Sequence, residues 1–438
     1  MKKYLYSAAL LILAAGCASL SPQDRLTVND KKINKIIAQM TLEEKLGQLN
    51  LPSCPSEIVT GNERCENILE NIRAGKVGAI LNTYGYDNIM PYQKAAVEES
   101  RLGIPLLTGL DVIHGHKTVF PIPLGLAATW NPEAIEEAAR LAALESTADG
   151  INWTYNPMVD ITRDPRWGRC AEGAGEDPYL GGVVAQAMVR GYQGTPEELY
   201  NGNERMLACV KHFALYGGAA SGLDYTEVDM SPARMYNEYL PPYKAAIDAG
   251  VGSIMTSFND INGMPSTANK WLFTEVLRNQ WGFDGFVVSD YNAVTEMIKH
   301  GVAADAKEAA YKALKAYLDM EMTSGDYINH GEQLVHDGII PEKLIDELCR
   351  NILIVKYELG LFEDPFRYGG AERFARETYK PESIALARQI ARESMVLLKN
   401  EGSVLPLKEG GKVAMIGPFI SDARAMNGTW DGFSEAKR

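Results

Sequence analysis

Short apolar runs alternate with longer amphipathic stretches along residues 77–359, and this alternation constrains the fold more than any other feature. Each run has the length of a buried strand, and the stretches between them have helical spacing with proline or a polar cap at their starts. Repeated strand–helix units build a parallel sheet, which is either closed into a barrel or open with helices on both faces. The predicted strands are Val77–Leu81, Pro105–Leu110, Trp153–Val159, Leu207–Phe213, Gly252–Phe258, Gly285–Ser289 and Leu318–Met322, with Leu124–Ala128 as a further candidate. The predicted helices include Pro132–Ala148, Pro178–Gln193, Pro232–Ala249, Asn269–Trp281, Lys307–Tyr317 and Pro341–Leu359.

The position of the polar residues favours the closed sheet over the open one. They follow the predicted strands: Asp111 and His114, Asp160 and Arg163, Lys211 and His212, Asn259, and Asp290. In a (β/α)8 barrel the loops after the strands converge on one pocket. An open nucleotide-binding sheet needs a glycine-rich loop after its first strand, and residues 77–86 contain no GxGxxG. We therefore predict a (β/α)8 TIM-type barrel over residues 31–361.

The chain of 438 residues extends beyond this barrel. Residues 362–380 carry Pro365, Gly369 and Gly370 among mixed charges, which is typical of a linker. A helix over Ser383–Leu398 and a strand over Lys412–Ile416 then predict the start of a second domain, a truncated α/β sandwich, at residues 381–438. One helix and one or two strands bury too little surface to fold alone, so we expect this domain to be incomplete.

The first residues have the pattern of an export signal. Lys2 and Lys3 precede an apolar stretch too short to span a membrane, and Cys17 ends a segment that resembles the lipobox of bacterial lipoproteins. We predict a lipoprotein signal peptide at 1–16, lipidation of Cys17 and a polar tether at 17–30, with an ordinary cleaved signal as the alternative. The expected location is the periplasm of a Gram-negative bacterium, with the outer membrane reached only through the lipid anchor.

The net charge and the cysteine pattern restrict the partners, the disulfides and the metal chemistry that we expect. The net charge of −14 disfavours nucleic acid as a partner, because phosphate contacts require basic surfaces. Export permits disulfides, and Cys54 with Cys65, in one loop rich in proline, glycine and asparagine, is the predicted pair. Neither a CxxC pair nor a His/Cys cluster with zinc-ligand spacing occurs, so we predict no catalytic metal and no other cofactor.

Asp290 is the strongest candidate for a catalytic residue. It ends the apolar run Gly285–Ser289, and a carboxylate at the mouth of a barrel can attack the anomeric carbon of a sugar to form a covalent intermediate. The alternative is a helix N-cap for the segment starting at Asn292, which is a common role for aspartate. The spacing alone leaves both interpretations open.

Other polar residues at strand ends are candidates for binding sugar hydroxyls. Lys211 and His212 are adjacent donors, and Asp111 can accept from two hydroxyls. The alternatives are a solvated lysine beside a structurally bonded histidine, and an aspartate that positions the following loop. For His114 and His116 in that loop, we favour a structural role over metal binding.

The arginine-rich segment and the tryptophans can each be interpreted as structural or as contacts to a ligand. Arg163–Arg169 contains three guanidiniums and an indole, which is consistent with a salt-bridged turn, with a loop that presents one arginine to a ligand, or with both. Met255 is placed to floor a pocket, although core packing is the simpler expectation. The tryptophans in apolar surroundings are predicted to belong to the core: Trp130, Trp153, Trp271 and Trp281.

Taken together, these segments resemble glycoside hydrolase family 3. The resemblance runs in order from residue 40 to about residue 417 and includes the segments 111–115, 160–169, 208–213, 255–259, 285–291 and 393–400. It implies a retaining exo-glycosidase with Asp290 as the nucleophile. It also implies that the residues binding the innermost sugar are Asp111, Arg163, Lys211 and His212, and that Met255 lines the pocket.

Two departures from the family pattern qualify this expectation. Leu223 stands where the family usually has arginine, and the family's general acid/base, a glutamate of the second domain, would fall beyond residue 438. We therefore expect low activity from this chain alone. The predicted function is an exo-β-glucosidase acting on a β-glucoside or oligosaccharide, with a β-xylosidase or an inactive truncated sugar-binding lipoprotein as alternatives. A homodimer is also considered as the oligomeric state.

Overall fold

The structure, a computed structural model, describes residues 22–54 and 65–430. The predicted signal peptide, Cys17, the first part of the tether and residues 431–438 lie outside the described residues. Among the helices of the described ranges, none combines the length and the apolar composition that crossing a membrane requires.

Eight parallel strands close into a barrel, as predicted. Three groups of hydrogen-bonded parallel strands form the barrel sheet: residues 50–51 with 321–322, residues 79–81 with 107–110 and 153–154, and residues 209–213 with 253–256 and 286–288. Parallel bridges between Ser53 and Leu81, Trp153 and Leu207, and Val288 and Met320 join these groups into one ring. The strands are β1 (Asn50–Leu51), β2 (Ala79–Leu81), β3 (Leu107–Leu110), β4 (Trp153–Thr154), β5 (Cys209–Phe213), β6 (Ser253–Thr256), β9 (Phe286–Val288) and β10 (Glu321–Met322), while β7 (Asp260–Ile261) and β8 (Met264–Pro265) form a hairpin.

Helices connect and surround the strands. The α-helices are α1 (Pro22–Ile37), α2 (Leu42–Gln48), α3 (Ile68–Arg73), α4 (Tyr86–Lys94), α5 (Pro123–Ala128), α6 (Pro132–Ala148), α7 (Pro178–Gln193), α8 (Pro196–Asn201), α9 (Pro232–Arg234), α10 (Pro241–Asp248), α11 (Ala293–Glu296), α12 (Ala306–Lys315), α13 (Asp326–His336), α14 (Glu342–Glu358), α15 (Ala371–Glu377) and α16 (Pro381–Glu393). Segments with wider π-type hydrogen bonding are Ala95–Glu99, Met235–Tyr239 and Trp271–Gln280. Short 3₁₀ turns are Gly168–Glu172, Tyr216–Gly218, Ala220–Gly222, Ser266–Ala268, Glu401–Ser403 and Ala425–Asn427.

The core fills the barrel and the space between its strands and the helices. Inside the barrel, Trp153 meets Phe286 edge to face with ring centroids 5.2 Å apart, and its Nε1–H donates to Ser253 at 2.9 Å. Outside it, α6 and α7 approach so closely that a Cβ at Gly191 would lie 2.5 Å from the Cβ of Ala139. Close packing of this kind fixes the direction of each strand end, and so the position of the residues that follow it.

Several sequence predictions about elements were wrong. Residues 22–30, predicted as tether, are helical, and Leu124–Ala128 lies within helix α5 rather than in a strand. The predicted linker contains α15, which is fixed to the barrel where Arg373 donates to the backbone carbonyl of Thr147 at 3.1 Å. Residues 412–416 have no regular structure and are exposed, since within residues 395–430 no strand pairs with them.

The predicted disulfide is not formed, because Cys54 and Cys65 are both free thiols. The Sγ of Cys65 instead faces the side-chain amide of Asn71 at 3.3 Å, and Cys54 is buried beside Ile68 in a small apolar cluster. Burial raises the pKa of the Cys54 thiol to about 12. Cys54 is therefore an unreactive, protonated thiol at neutral pH.

The tryptophans divide between core and surface. Trp153 is fully buried, as predicted, and Trp281 packs partly buried against the core. Trp130 is 76% exposed, so its assignment to the core was wrong. It lies at the end of α5 with a positive φ of 55°, which turns the indole outward beside the exposed ring of Tyr179.

Candidate active site

Asp290 lies just beyond β9 at the mouth of the barrel and is only 7% exposed. Its backbone N–H donates to Thr256 Oγ1 on β6 at 3.2 Å, and its Oδ1 accepts from the backbone N–H of Tyr291 at 2.7 Å. Its Oδ2 has no hydrogen-bond partner among the described residues and lies 3.5 Å from Nε2 of His212. The side chain does not cap α11, so the N-cap interpretation does not hold.

The surroundings of Asp290 set its protonation. Burial raises the pKa of this carboxyl to about 7. The positive charges of Arg169 and Lys211 act in the opposite direction, while the nearby carboxylate of Asp111 adds to the rise in pKa. Without those two cations the group would be mostly protonated at neutral pH, and a protonated carboxyl is a poor nucleophile.

Lys211 and Asp111 form a buried ion pair next to Asp290. Lys211 lies within β5, and its Nζ lies 2.8 Å from Oδ1 of Asp111, which follows β3. A buried pair is favourable only when its remaining hydrogen-bonding positions are filled. The pair thus places an ammonium and a carboxylate at the mouth of the barrel beside Asp290.

His212 is held by residues from the loop after β4 and from helix α10. Its Nδ1 lies 2.8 Å from Oδ2 of Asp160, which also accepts its backbone N–H at 2.9 Å. The hydroxyl of Tyr243 lies 2.6 Å from Oδ1 of the same carboxyl. Burial lowers the pKa of His212 well below its usual range, and the charges of Arg169 and Lys211 lower it further. The imidazole is therefore neutral.

Arg169 also belongs to the cluster of polar side chains around Asp290, although it was not among the predicted site residues. Its Nη2 lies 2.8 Å from Nε2 of His212, and its guanidinium forms a two-point ion pair with the buried Glu172 at 2.7 and 3.0 Å. Its positive charge also opposes the rise in the pKa of Asp290. One interpretation of the sequence was that one arginine of residues 163–169 faces a ligand, but the pattern did not indicate which one.

Arg163, the arginine predicted to bind sugar, lies elsewhere. It forms an ion pair with Glu238 and lies over the ring of Tyr239, 5.8 Å from its centroid, with a side chain that is 38% exposed. Its partners belong to the outer segment 235–239, which draws the guanidinium away from the Asp290 cluster. We therefore replace Arg163 by Arg169 as the arginine of the site.

The remaining candidates occupy supporting positions. Met255 is buried on β6 and paired in register with Val288, and its role in lining a pocket stays a prediction. His114 contacts the carbonyl of Phe120 at 2.7 Å, and His116 pairs with Asp149 at 2.7 Å. The two rings thus have separate partners, and their structural role stays a prediction.

The departure at Leu223 leaves the local structure intact. Leu223 is exposed, while the neighbouring Asp224 accepts from Nε1 of Trp167 at 2.8 Å. Trp167 is buried and packs edge to face on Tyr216, with centroids 5.1 Å apart. An indole hydrogen bond therefore fixes this loop from the inside.

The acidic groups near Asp290 already have partners. Asp111 pairs with Lys211, and Glu172 pairs with Arg169. Within the described ranges, no group of three or more His, Cys, Asp or Glu side chains is arranged to hold a metal ion. Trp430 approaches from the C-terminal segment, where its ring centroid lies 5.5 Å from Nζ of Lys211.

Comparisons with known proteins identify the family to which this barrel belongs. The profile of the Glycosyl hydrolase family 3 N terminal domain matches residues 41–355. The chain belongs to glycosyl hydrolase family 3. The matched region contains all eight barrel strands and the cluster around Asp290.

Members of family 3 with related sequences include glucosidases and xylosidases. The chain is 42% identical over 423 residues to the periplasmic β-glucosidase of Salmonella typhimurium, covering 96% of this chain and 54% of that protein. It is 34% identical to a β-xylosidase of Formosa agariphila, covering 92% of this chain and 52% of that protein. A crystal structure of a β-glucosidase from Listeria innocua in complex with glucose superimposes with a TM-score of 0.87 at 42% identity, over 93% of this chain and 57% of the other. The chain thus spans about half the length of these family 3 relatives.

Proposed function

We propose that the chain is the barrel of a retaining exo-β-glucosidase in which Asp290 is the nucleophile. The observation that carries this proposal is the state of Oδ2 of Asp290, which is buried, has no hydrogen-bond partner among the described residues and lies 3.5 Å from Nε2 of His212. Such an oxygen is ready to bond to an electrophilic carbon. In the first step Oδ2 bonds to the anomeric carbon while the bond from that carbon to the leaving oxygen breaks, giving a glycosyl–Asp290 ester.

The neighbouring side chains bind the sugar in this proposal. Asp111 accepts from hydroxyls, Lys211 and Arg169 donate to them, and the lone pair of His212 holds the guanidinium of Arg169 in place. Cationic donors bind hydroxyl oxygens more strongly than neutral donors do. The same two cations oppose the rise in the pKa of Asp290 and so favour its ionised form, which means that binding and nucleophile activation depend on one electrostatic arrangement.

A second carboxyl is required for turnover. Retaining hydrolysis uses two carboxyl groups about 5–5.5 Å apart, one of which protonates the leaving oxygen and later activates water. The acids close to Asp290 are engaged in ion pairs, and membership of family 3 implies that a glutamate of a second domain supplies this group. The chain alone should then accept a sugar from a substrate with a good leaving group and release it slowly.

Glucose is the favoured sugar and xylose the second candidate. The 42% identity to a periplasmic β-glucosidase favours glucose, and the β-xylosidase at 34% identity keeps xylose in consideration. The periplasmic β-glucosidase also supports a periplasmic location for this chain. A lipid anchor at Cys17 and a homodimer belong to the proposal only as predictions from the sequence.

The test is covalent trapping of Asp290. The purified chain is incubated with 2,4-dinitrophenyl 2-deoxy-2-fluoro-β-glucoside, and the intact protein is weighed by mass spectrometry. The dinitrophenolate leaves with its electron pair and needs no proton, so the missing acid does not block this step. We expect one fluoroglucosyl group on Asp290 and none in Asp290→Asn.

Two controls separate the possible outcomes. Circular dichroism of Asp290→Asn must match that of the parent chain, so that loss of labelling reports chemistry rather than folding. The corresponding fluoroxyloside, used in parallel, ranks the two sugars. Labelling at another residue, or equal labelling of Asp290→Asn, would contradict Asp290 as the nucleophile. A folded chain that reacts with neither sugar would favour an inactive sugar-binding protein.

A further inference from the structure

The hydrogen bonds around His212 define which of its ring nitrogens carries the proton. A neutral imidazole has one N–H donor and one lone-pair acceptor. Oδ2 of Asp160 accepts the backbone N–H of His212 at 2.9 Å, so it is an acceptor, and Nδ1 lies 2.8 Å from the same oxygen. Nδ1 therefore carries the hydrogen.

The other ring nitrogen faces a group that can only donate. Nε2 lies 2.8 Å from Nη2 of Arg169, and a guanidinium has no acceptor. Both sides of the ring thus favour the same tautomer, with the lone pair on Nε2. The partner of one ring nitrogen generally sets the chemistry of the other in this way.

This tautomer has a direct consequence for the proposed nucleophile. Nε2 of His212 lies 3.5 Å from Oδ2 of Asp290, and with a lone pair there it donates nothing to that oxygen. This explains why Oδ2 is buried without a hydrogen-bond partner while Oδ1 accepts from Tyr291. The opposite tautomer would donate to Oδ2, occupy its lone pair and reduce its reactivity.

We propose that Asp160 is a positioning residue that holds neutral His212 in the Nδ1–H tautomer and thereby keeps Oδ2 of Asp290 free to attack. Asp160 does not touch the reacting atoms, and it acts only through the imidazole. Its own place is fixed by the hydroxyl of Tyr243 at 2.6 Å and by complete burial. The inference rests on the proposed function of Asp290 for its catalytic meaning, although the tautomer itself does not depend on activity.

Two substitutions at this position separate the acceptor from the charge. Asp160→Leu removes the acceptor at similar size, whereas Asp160→Asn removes the charge and keeps a carbonyl oxygen that can accept from Nδ1–H. In Asp160→Leu, only the donor Arg169 still opposes a hydrogen on Nε2, so we expect the Nε2–H tautomer of His212 to become populated and to donate to Asp290. In Asp160→Asn, we expect the tautomer of the parent chain to be retained.

The readouts are the ring nitrogens and the labelling reaction. Nitrogen NMR of chain labelled with ¹⁵N-histidine, assigned with a His212 variant, reports the tautomer without substrate. Fluoroglucoside labelling should slow roughly 10²-fold in Asp160→Leu and recover in Asp160→Asn, in line with the usual contribution of a positioned acid–base group. The pH profile of labelling in Asp160→Leu should move to lower pH, because a donated hydrogen bond stabilises the carboxylate form of Asp290.

The pair formed by His116 and Asp149 provides the matched control. It is also buried, with Nε2 2.7 Å from Oδ2, and it lies outside the cluster. Asp149→Leu should alter the signals of His116 and leave both His212 and the labelling rate unchanged. Circular dichroism checks the fold of every variant.

Each outcome decides the proposal. An Nε2–H tautomer in the parent chain overturns it, as does slow labelling in Asp160→Asn with an unchanged tautomer, since that would assign the effect to charge. Full labelling in Asp160→Leu with an altered tautomer overturns the link to Asp290. Absence of labelling in the parent chain contradicts the proposed function alone, and the ring nitrogens then still test the role of Asp160.

Discussion

The loop between β4 and α7 has an outer half, residues 163–166, and an inner half, residues 169–172. Both halves contain arginine–carboxylate ion pairs, but the outer pairs lie at the surface and the inner pair is largely buried. In the outer half, Arg163 pairs with Glu238, and Arg166 pairs with Asp164 at 2.6 Å on the surface. In the inner half, Arg169 is 18% exposed and pairs with Glu172, whose side chain is 5% exposed. The buried indole of Trp167 lies between the two halves.

The difference shows what turns an ion pair into part of a site. Water screens the outer pairs, so their charges act over short distances and contribute little to stability. The inner pair lies in surroundings of low polarity, where the charge of Arg169 reaches His212 and Asp290. We therefore expect substitutions in the inner half to change chemistry and stability, and substitutions in the outer half to change neither strongly.

The largest effect should follow from Arg169→Met. Removing a buried hydrogen-bonded charge costs about 2–5 kcal/mol, so fluoroglucoside labelling at pH 7 should slow about 10²-fold or more. The pKa of Asp290 should also rise above about 7, since its first opposing cation is lost. Labelling rates measured across pH should rise through a pKa near 7 in the parent chain and through a higher pKa in the variant.

Arg169→Lys is the control for charge alone. It keeps a cation but loses the planar two-point pairing with Glu172, so its pH profile should stay near that of the parent chain while its rate falls. A profile in Arg169→Met that does not move would contradict electrostatic coupling between Arg169 and Asp290.

The next effect should be the loss of stability in Glu172→Gln. Burial opposes ionisation of Glu172, but the ion pair with Arg169 holds the pKa of its carboxyl below the usual range. Because the folded pKa is lowered, its contribution to stability is present above the unfolded pKa and is lost as the pH falls through the folded value. Breaking a buried pair costs about 3–5 kcal/mol, which urea denaturation at pH 7 measures as a lower midpoint.

Asp164→Asn is the matched change in the outer half. It also removes a carboxylate that pairs with an arginine of the same loop, but at the surface. Its urea midpoint should stay close to that of the parent chain. Equal losses in Asp164→Asn and Glu172→Gln would contradict the distinction between the two halves.

Much of the fold was predictable from the sequence, because each barrel strand is a local apolar run. All seven predicted strands contain an observed strand, and helices α6 and α7 have the predicted bounds. The first strand was missed because Asn50–Leu51 has only two residues and directly follows the capped helix α2. The strand predicted at 412–416 requires a neighbouring strand, which its own sequence cannot supply.

The site was predictable only where it depends on strand ends. Asp111 and Asp290 lie just beyond strands β3 and β9, and Lys211 and His212 lie within β5, so the barrel brings the four residues together. Arg169 lies in a loop far from a strand end, and its direction depends on contacts with Glu172 in the same turn and with His212 on β5. The sequence shows three arginines close together and contains no local signal that separates them.

The smallest effect should follow from Arg163→Met, which tests the correction at this position. Arg163 contacts Glu238 and Tyr239 at the surface, and Glu238 keeps a second partner in Arg234 at 3.1 Å. Because Glu238 stays paired and Asp290 loses no nearby charge, the labelling rate, its pH profile and the urea midpoint should all stay near the values of the parent chain. A loss of labelling comparable with that of Arg169→Met would restore Arg163 as a sugar-binding residue and would mean that the outer half of the loop moves inward when substrate binds.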